Sequence, residues 1–263
     1  MTPAVNTLFP GCDYHIHTVY SGHSTPDMTV RNIIKRAEVI GLESIVVLEH
    51  AFYSDMGRAG LEQIRKEVSA VETPIKVLIG MEIDPDYSRK GRLAFEDFER
   101  EEIDAVLVGT HAIPGTGKGW HAKLELTRKE RERIYRAWFE TVESLLENSR
   151  IDIIAHPGRL ISRNGIVEEF SGQVMKDFER LFASARRRNA AVELNESLLK
   201  LLHGEARLQS YTEVIRLAMS MELKISPGSD AHSLDRIGEN HLILRVAEQL
   251  RLSPEHLFRL PRD

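Results

Sequence analysis

The sequence predicts an α/β fold built around one parallel β-sheet, and two features of the chain lead to this prediction. Short apolar runs alternate with stretches of helical periodicity, which is typical of a parallel sheet covered by helices. Six or seven of the apolar runs also end on a residue that can bind a metal ion. Because the carboxyl ends of parallel strands lie on one side of a sheet, we expect these residues to converge on one face.

Length and composition limit the possible classes of protein. A chain of 263 residues with 42% hydrophobic residues can form one large α/β domain, and no linker or low-complexity segment divides residues 1–263. A net charge of −5 and an isoelectric point near 6.1 argue against a general nucleic-acid or membrane surface. The single cysteine, Cys12, cannot form an internal disulfide, and no secretion signal or membrane-spanning run is recognisable. We therefore expect a single-domain cytoplasmic protein.

Strands and helices are predicted to alternate through the whole chain. Each predicted strand is an apolar run that ends beside a potential ligand: residues 13–17, 44–50, 75–82, 104–111, 151–156, 191–195 and 225–232. Helices are predicted where apolar residues recur three and four positions apart: residues 29–40, 61–71, 95–102, 127–148, 171–188, 211–221 and 241–250. In the first helix, Val30, Ile33 and Ala37 share one face, and Gly41 ends the helix. Residues 253–258 are predicted to form a capped final turn.

One loop differs from the others in its glycine content. Residues 114–126 follow a ligand-bearing strand and contain Gly115, Gly117 and Gly119. The segment lacks the Gly-Lys-Ser/Thr ending of a nucleotide-binding P-loop, so it does not predict a phosphate cradle. We expect it to form a mobile lid over the site.

The candidate metal ligands are seven histidines and two acids that lie in or just after the predicted strands. They are His15, His17, His23, His50, Glu82, His111, His156, Asp230 and His232. His15 and His17 are two positions apart on a strand, so both imidazoles point to the same side and can reach one cation. Asp230 and His232 repeat this spacing near the other end of the chain. A single histidine at such a position is usually an ordinary loop residue, but that explanation does not account for seven of the eleven histidines.

This ligand set exceeds what one ion needs, since a catalytic zinc takes about three protein ligands and a water. We therefore expect two or three divalent ions, zinc, manganese or iron, with the Glu82 carboxylate as a bridge. Ions held close together would activate a water molecule and stabilise a transferring phosphoryl group. The residues thus predict an enzyme that hydrolyses phosphate esters with the help of bound metal.

The whole chain resembles the polymerase and histidinol phosphatase (PHP) family of phosphoesterases. The matching motifs, in the family's order, are Asp13-Tyr14-His15-Ile16-His17-Thr18 with Ser21 and His23, Glu49-His50, Gly80-Met81-Glu82, Gly109-Thr110-His111, Ala155-His156-Pro157, Glu193-Leu194-Asn195 and Gly228-Ser229-Asp230-Ala231-His232. The resemblance implies a distorted seven-stranded (β/α)7 barrel with a two- or three-metal site at the C-terminal ends of the strands. It also implies that the nine residues named above are the metal ligands.

Two branches of the family fit the chain. Glu49-His50-Ala51 resembles histidinol-phosphate phosphatase, in which arginines hold the substrate phosphate, and Arg159 and Arg163 are candidates for that role. Lys200 stands where this branch has a further arginine, and it retains the positive charge but not the bidentate fork. The other branch is similar to small stand-alone PHP phosphoesterases of broad or unknown substrate, which share the His23 position.

The expected substrate is a small phosphorylated molecule, and three alternatives differ in class. The first alternative is a PHP phosphoesterase or nuclease that acts on nucleotides or oligonucleotides. The second alternative is a non-catalytic or proofreading PHP domain of a DNA polymerase. The chain has no polymerase segment and retains every ligand position, and both facts argue against this alternative. The third alternative is a protein that binds metal but catalyses no reaction. The nearby cations Arg159, Arg163 and Lys200 argue against it, because they favour binding of an anionic substrate.

The proposed catalytic residues have distinct roles. Asp230 or His232 is a candidate for moving a proton to the leaving group, in addition to binding metal. Arg159, Arg163 and Lys200 are candidates for neutralising the phosphoryl oxygens. Glu193 and Asn195 share one strand face and can orient a ligand histidine. A structural role remains an equal alternative for Glu193 and for Asp13.

Overall fold

A parallel sheet forms the centre of the computed structural model, which describes residues 11–52, 54–148, 150–163 and 165–260. The described residues form these strands: β1 (Cys12–His17), β2 (Ser44–Ala51), β3 (Lys76–Ile83), β4 (Ala105–Val108), β5 (Ala112–Ile113), β6 (Lys118–Gly119), β7 (Ile153–Ile154), β8 (Ala191–Asn195) and β9 (Ile225–Gly228). Seven of them pair in parallel in the order β1-β2-β3-β4-β7-β8-β9. Strands β5 and β6 form a small antiparallel hairpin that reaches into the glycine-rich loop.

The sheet closes almost completely into a barrel. Ile16 of β1 forms a parallel bridge with Ala231, just beyond the end of β9. The amide of His17 donates to the carbonyl of Ala231 at 3.0 Å, and the amide of Asp230 donates to the carbonyl of His15 at 2.9 Å. The predicted seven-stranded (β/α)7 barrel is therefore confirmed.

Helices cover the outside of the barrel. They are α1 (Val30–Val39), α2 (Ser54–Ser69), α3 (Arg128–Leu145), α4 (Arg159–Ser162), α5 (Gly172–Arg188), α6 (Glu196–Leu201), α7 (Glu205–Ser220) and α8 (His241–Leu250). The predictions for α1, α3, α5 and α8 agree with these bounds to within three residues. Thr127 caps α3 by accepting a hydrogen bond from the amide of Glu130.

Other helix predictions were incomplete or wrong. Helices α2 and α7 begin several residues earlier than expected, because their first turns carry mostly polar residues and show little apolar spacing. The helix predicted at 95–102 is wrong, since only Arg100–Glu102 forms a 3-10 turn there. Phe95 and Phe98 have helical spacing but are buried in the core from an irregular segment. The short helices α4 and α6 were not predicted.

The barrel interior changes from apolar to polar along the strands. At one end Val46, Leu48, Leu78 and Leu107 pack together. Continuing in steps of two, the same faces present His50 on β2 and Glu82 on β3, because strand side chains alternate. Each strand therefore contributes core at its start and a polar side chain at its carboxyl end.

Strand β1 departs from this simple alternation. Tyr14 belongs to the apolar interior, yet the adjacent His15 reaches the polar end. The pairing register between β1 and β2 shifts between Asp13 and Ile16, and such an irregularity changes which side chains point inward. Both His15 and His17 thereby face the polar end of the barrel.

Within the described ranges, none of the helices combines the length and the apolar character that a membrane span needs.

Candidate metal centre

The Glu82 carboxylate lies at the centre of the polar end of the barrel. One of its oxygens, Oε2, is 3.3 Å from His15 Nε2 and 3.2 Å from His50 Nδ1. The other, Oε1, is 2.6 Å from His156 Nε2 and 3.3 Å from His111 Nε2. His17 Nε2 also lies 3.3 Å from Oε2. One fully buried acid is thus surrounded by five imidazoles from four different strands or strand ends.

The ligand atoms fall into four overlapping groups, and within each group they lie within 4.8 Å of one another. The groups are His17, His50 and His232; His15, Glu82 and His156; His15, His17 and Asp230; and His50, Glu82 and His111. We call these eight residues the metal cluster. The structure brings together eight of the nine predicted metal ligands.

The metal cluster contains many buried polar atoms that have no hydrogen-bond partner among the described residues. They are His17 Nδ1, His50 Nδ1, Glu82 Oε2, His111 Nε2, His156 Nδ1 and His232 Nε2. Such atoms destabilise a folded protein, typically by about 1–3 kcal/mol each, unless a ligand satisfies them. Imidazole and carboxylate ligands without thiolate suit zinc, manganese or iron. The donor set therefore fits bound divalent cations.

His23, the ninth predicted ligand, lies at the mouth of the barrel. Its ring stacks on that of His232 with centroids 4.4 Å apart, and on that of His50 at 5.2 Å. Its Nδ1 lies 3.0 Å from the carbonyl of Ser21. The side chain is exposed, and His23 belongs to none of the four groups formed by the described residues.

Two carboxylates outside the metal cluster form hydrogen bonds with two of its imidazole rings. Glu193 Oε1 lies 2.7 Å from His15 Nδ1, and its second oxygen accepts the amide of His156 at 2.6 Å. Asp84 Oδ1 lies 2.5 Å from His111 Nδ1. A carboxylate on the far nitrogen fixes the orientation of an imidazole and increases its basicity as a ligand. Glu193 was predicted for this role, whereas Asp84 was not, although it lies two positions after Glu82 on the same strand face.

Asp13 has a structural role. It is buried, and its Oδ1 accepts the amides of Ser229 at 3.0 Å and His15 at 3.3 Å. Its Oδ2 accepts the amide of Gly238 at 2.9 Å. Asp13 thus ties β1 to the segments that follow β9.

Asp230 connects the metal cluster to a buried arginine. Its backbone is in the left-handed region, with φ of 58°. Its Oδ1 is 3.6 Å from His17 Nε2, and its Oδ2 accepts a hydrogen bond from Arg159 Nη2 and from Asn195 Nδ2 at 3.4 Å. Burial would raise the pKa of Asp230, but the charge of Arg159 and the neighbouring imidazoles hold it well below its usual value. The carboxylate is therefore anionic, with one oxygen directed at the histidines.

The other two predicted cations lie further out. Arg163 donates from Nη1 to the carbonyl of His121 at 3.0 Å and lies 4.9 Å from the centre of the Trp120 ring. Arg159 contacts the same ring at 5.1 Å, so Trp120, in the predicted lid, touches both guanidinium groups. Lys200 donates to Glu239, a carboxylate that also accepts from Arg236 Nε at 3.0 Å. The structure thus brings Arg159 to the cluster and places Lys200 in a separate ion-pair network.

Burial and the neighbouring carboxylates together set the ionisation of the imidazoles. It lowers the pKa of His17 well below its ordinary value, and the rings of His50 and His232 lower it further. Burial also lowers the pKa of His232 to about 4. Burial would raise the pKa of Glu82, but the surrounding imidazoles reverse this effect and hold it well below its usual range.

Burial would also lower the pKa of His15 and of His111, but carboxylates reverse this effect: Glu193 and Glu82 hold the pKa of His15 well above its ordinary value, and Glu82 and Asp84 raise that of His111. Because an imidazole binds a metal ion in its neutral form, a bound cation would take the place of the protons on these two rings.

Comparison with known proteins agrees with this geometry. The model of the PHP domain family matches residues 13–197. The chain is 25% identical over 237 residues to the DNA polymerase/3'-5' exonuclease PolX of Bacillus subtilis, a match that covers 86% of this chain but only 35% of that protein. It is 25% identical over 246 residues to a probable phosphatase of Acetivibrio thermocellus, with 92% and 88% coverage.

The fold is shared with a solved phosphatase. The structure superposes on histidinol phosphate phosphatase from Lactococcus lactis, complexed with zinc, L-histidinol and phosphate, with a TM-score of 0.65, 18% identity and 95% coverage of each chain. This likeness shows the barrel fold. Since the family model spans well over half of the chain and includes six of the eight cluster residues, the chain belongs to the PHP domain family.

Proposed function

We propose that this PHP phosphoesterase hydrolyses small phosphate monoesters, with two or three divalent cations held by the metal cluster. One observation carries the proposal: a buried, ionised Glu82 is surrounded by five imidazoles, and four of these rings each have one buried nitrogen with no hydrogen-bond partner among the described residues. Bound cations would lower the pKa of a water molecule and neutralise charge on the phosphoryl oxygens. His23, at the mouth, completes the proposed set of nine ligands.

The protein's own residues prepare the site before substrate arrives. Glu193 and Asp84 fix the rings of His15 and His111, so that the ring nitrogens facing Glu82 stay in place. Arg159 orients Asp230 and brings a positive charge to the edge of the cluster. We assign charge stabilisation beside the phosphoryl group to Arg159 rather than to Lys200, which Glu239 already binds.

The proposed proton-transfer residues act as bases in this geometry. Asp230 is anionic, and His232, with a pKa of about 4, is neutral near pH 7. Each can accept a proton or bind a cation, but ionised Asp230 has no proton, and the ring N–H of neutral His232 is too weak an acid to donate one. We therefore propose that the leaving group takes its proton from water at the open mouth of the site.

A second candidate function is removal of nucleotides from short nucleic acids. It is supported by the similarity to PolX, although the chain spans about a third of that protein's length. The net charge of −5 favours a small substrate over a polynucleotide, because nucleic-acid binding usually rests on a basic surface. The Lactococcus lactis phosphatase, complexed with L-histidinol and phosphate, supports a small substrate as well.

The test measures bound metal and hydrolysis of p-nitrophenyl phosphate in the native protein and in Glu82→Gln. We expect the variant to lose metal and to lose activity by roughly 100-fold or more, because a neutral amide cannot bridge cations. His203→Ala, which changes an exposed histidine outside the cluster, is the matched control and should retain both. Circular dichroism checks that the variants fold.

Two results would contradict the proposal. Undiminished hydrolysis by folded Glu82→Gln would remove the metal cluster as the site of reaction. Faster cleavage of bis-p-nitrophenyl phosphate and of a short oligonucleotide than of the monoester would favour the second candidate function.

A further inference from the structure

The few large hydrophobic side chains exposed on the described chain differ in how they are held. They are Tyr20, Val39, Phe52 and Tyr87, with exposed fractions of 41%, 72%, 38% and 45%. The hydroxyl of Tyr20 donates to Glu67, and that of Tyr87 donates to the carbonyl of Ala112 at 3.1 Å. Val39 lies in the last turn of α1. Phe52 has no polar atom to anchor it, and it lies against the metal cluster.

The Phe52 ring extends a stack of imidazoles toward the opening of the site. It follows β2 two positions after His50, and the two rings are 4.9 Å apart and almost parallel, at 17°. The His50 ring also stacks on those of His17 and His23, at 4.2 and 5.2 Å. Phe52 also meets the edge of His111 at 5.7 Å. One face of the phenyl ring is therefore covered by His50, while the side chain remains more than one-third exposed.

An apolar ring in this position is unusual for a site made of imidazoles and carboxylates. Exposed apolar surface is unfavourable in water, and an aromatic face gains by stacking on another planar ring. A phosphoryl group at the cluster would leave the organic part of the ester at the mouth, where Phe52 lies next to His50. Trp120 is a second aromatic ring near the cluster, but its ring lies against Arg159 and Arg163.

From this geometry we propose that Phe52 is a specificity-determining residue, which stacks on a planar aromatic ring in the leaving group of the substrate. The substrate class is then a phosphate monoester of an alcohol that carries an aromatic or heteroaromatic ring, such as a nucleobase. The inference rests on the proposed phosphomonoesterase function. It goes further by naming the part of the substrate that the protein recognises.

The test compares two esters that differ only in the ring. Adenosine 5′-monophosphate and ribose 5-phosphate share the same primary ester and sugar, and only the first has a base. We expect the native protein to prefer the nucleotide in kcat/KM by roughly tenfold or more, as base–aromatic stacking predicts. Phe52→Ala should reduce this ratio to near one by lowering only the nucleotide's kcat/KM, and Phe52→Trp should keep it.

A binding measurement separates recognition from turnover. Adenosine should inhibit ribose 5-phosphate hydrolysis competitively, with an inhibition constant that rises by roughly tenfold in Phe52→Ala. Tyr20→Ala is the matched control, because it removes an equally exposed ring whose hydroxyl is bound to α2, and it should change neither value. Phe52→Leu serves as a second variant if Phe52→Ala does not fold.

Three outcomes overturn the inference without affecting the proposed function. The native protein could hydrolyse both esters with equal kcat/KM. Phe52→Ala could leave the ratio unchanged. An equal loss for both esters in that variant would mean that Phe52 only supports the ring of His50. If neither these esters nor p-nitrophenyl phosphate is hydrolysed by the native protein, the proposed function itself fails.

Discussion

Two adjacent residues of β2 show how one strand serves both the site and the surrounding structure. His50 faces the metal cluster, and Glu49 points the opposite way, where its Oε1 accepts the amide of Thr18 at 2.9 Å and the Thr18 hydroxyl. Burial raises the pKa of Glu49 to about 8, although the bonds from Thr18 oppose this shift. Glu49 is thus a neutral acid at neutral pH, directly beside a proposed ligand.

This raised pKa predicts a pH-dependent stability. The native state keeps the Glu49 proton up to about pH 8, whereas the unfolded chain loses it above its ordinary value of 4.5. Stability therefore falls as pH rises from 4.5 to about 8, by an amount on the order of a few kcal/mol. In Glu49→Gln we expect a smaller loss of melting temperature between pH 5 and pH 8 than in the native protein.

The control for this prediction is Glu248→Gln, which removes an exposed carboxylate of α8. Its melting temperature should follow the native protein at every pH. Parallel curves for Glu49→Gln and the native protein would show that Glu49 ionises normally in the folded state.

Single residues also show how much of the candidate site the sequence could reveal. The pairing of His15 with His17, and of Glu82 with Asp84, follows from the alternation of side chains along a strand. The same rule could have indicated Phe52, two positions after His50. The bond between Arg159 and Asp230 could not be predicted, because it depends on the placement of the short helix α4 and on the left-handed backbone of Asp230.

At the scale of elements, helix α2 contains two glycines in different surroundings. A methyl group at Gly57 would overlap the ring of Phe95, whereas at Gly60 it would lie 3.5 Å from Glu49 Cβ, an ordinary contact. Both changes to alanine gain about 0.5–1 kcal/mol of helix propensity. The absence of a side chain at Gly57 therefore allows α2 to pack closely against the irregular segment at Phe95.

This difference predicts opposite effects on stability within one helix. Gly57→Ala should reduce the free energy of unfolding by about 1–3 kcal/mol, because overpacking outweighs the propensity gain. Gly60→Ala should increase it by about 0.5–1 kcal/mol. Urea denaturation measures both, and each variant is the control for the other. Stabilisation by both would show that the Phe95 ring moves aside readily.

The spacing of apolar residues predicted some of the helices and strands but not all of them. Amphipathic spacing predicted α1, α5 and α8 well, because each places an apolar stripe against the barrel. The same spacing wrongly predicted a helix at Phe95 and Phe98, whose two buried rings belong to a segment without helical hydrogen bonds. The hairpin of β5 and β6 was not predicted, since strands of two residues carry no alternation.

At the scale of the whole molecule, the structure predicts a single folding unit whose stability depends on metal. The cluster residues come from strand ends spread between residues 15 and 232, so unfolding separates most of the proposed ligands. Chelation should lower the melting temperature by roughly 10 °C, because cations would bind the folded state alone. Scanning calorimetry should show one transition both before and after chelation, as one domain over residues 1–263 requires.

The comparison protein for this measurement is Glu82→Gln, whose melting temperature should not respond to the chelator. Two separate transitions would contradict a single domain. An unchanged melting temperature of the native protein would contradict metal binding by the folded state.

The overall architecture was more predictable than its closure. Seven apolar runs gave the parallel sheet and the side on which the polar residues meet. How β1 joins the segment after β9 depends on contacts between residues more than two hundred positions apart, such as Ile16 with Ala231, which no local pattern reports. The barrel was predicted from the family resemblance. The backbone hydrogen bonds between β1 and the residues after β9 give the physical reason why the sheet closes.

The seam between β1 and the end of β9 bears on where the chain can be cut. The family model ends at residue 197, yet the backbone partners of His15 and His17 are Asp230 and Ala231. A fragment trimmed to that boundary would lose β9 and expose the free edge of β1 to solvent. The pocket is therefore a product of joining the two ends of the sheet, and an excised fragment would not contain it.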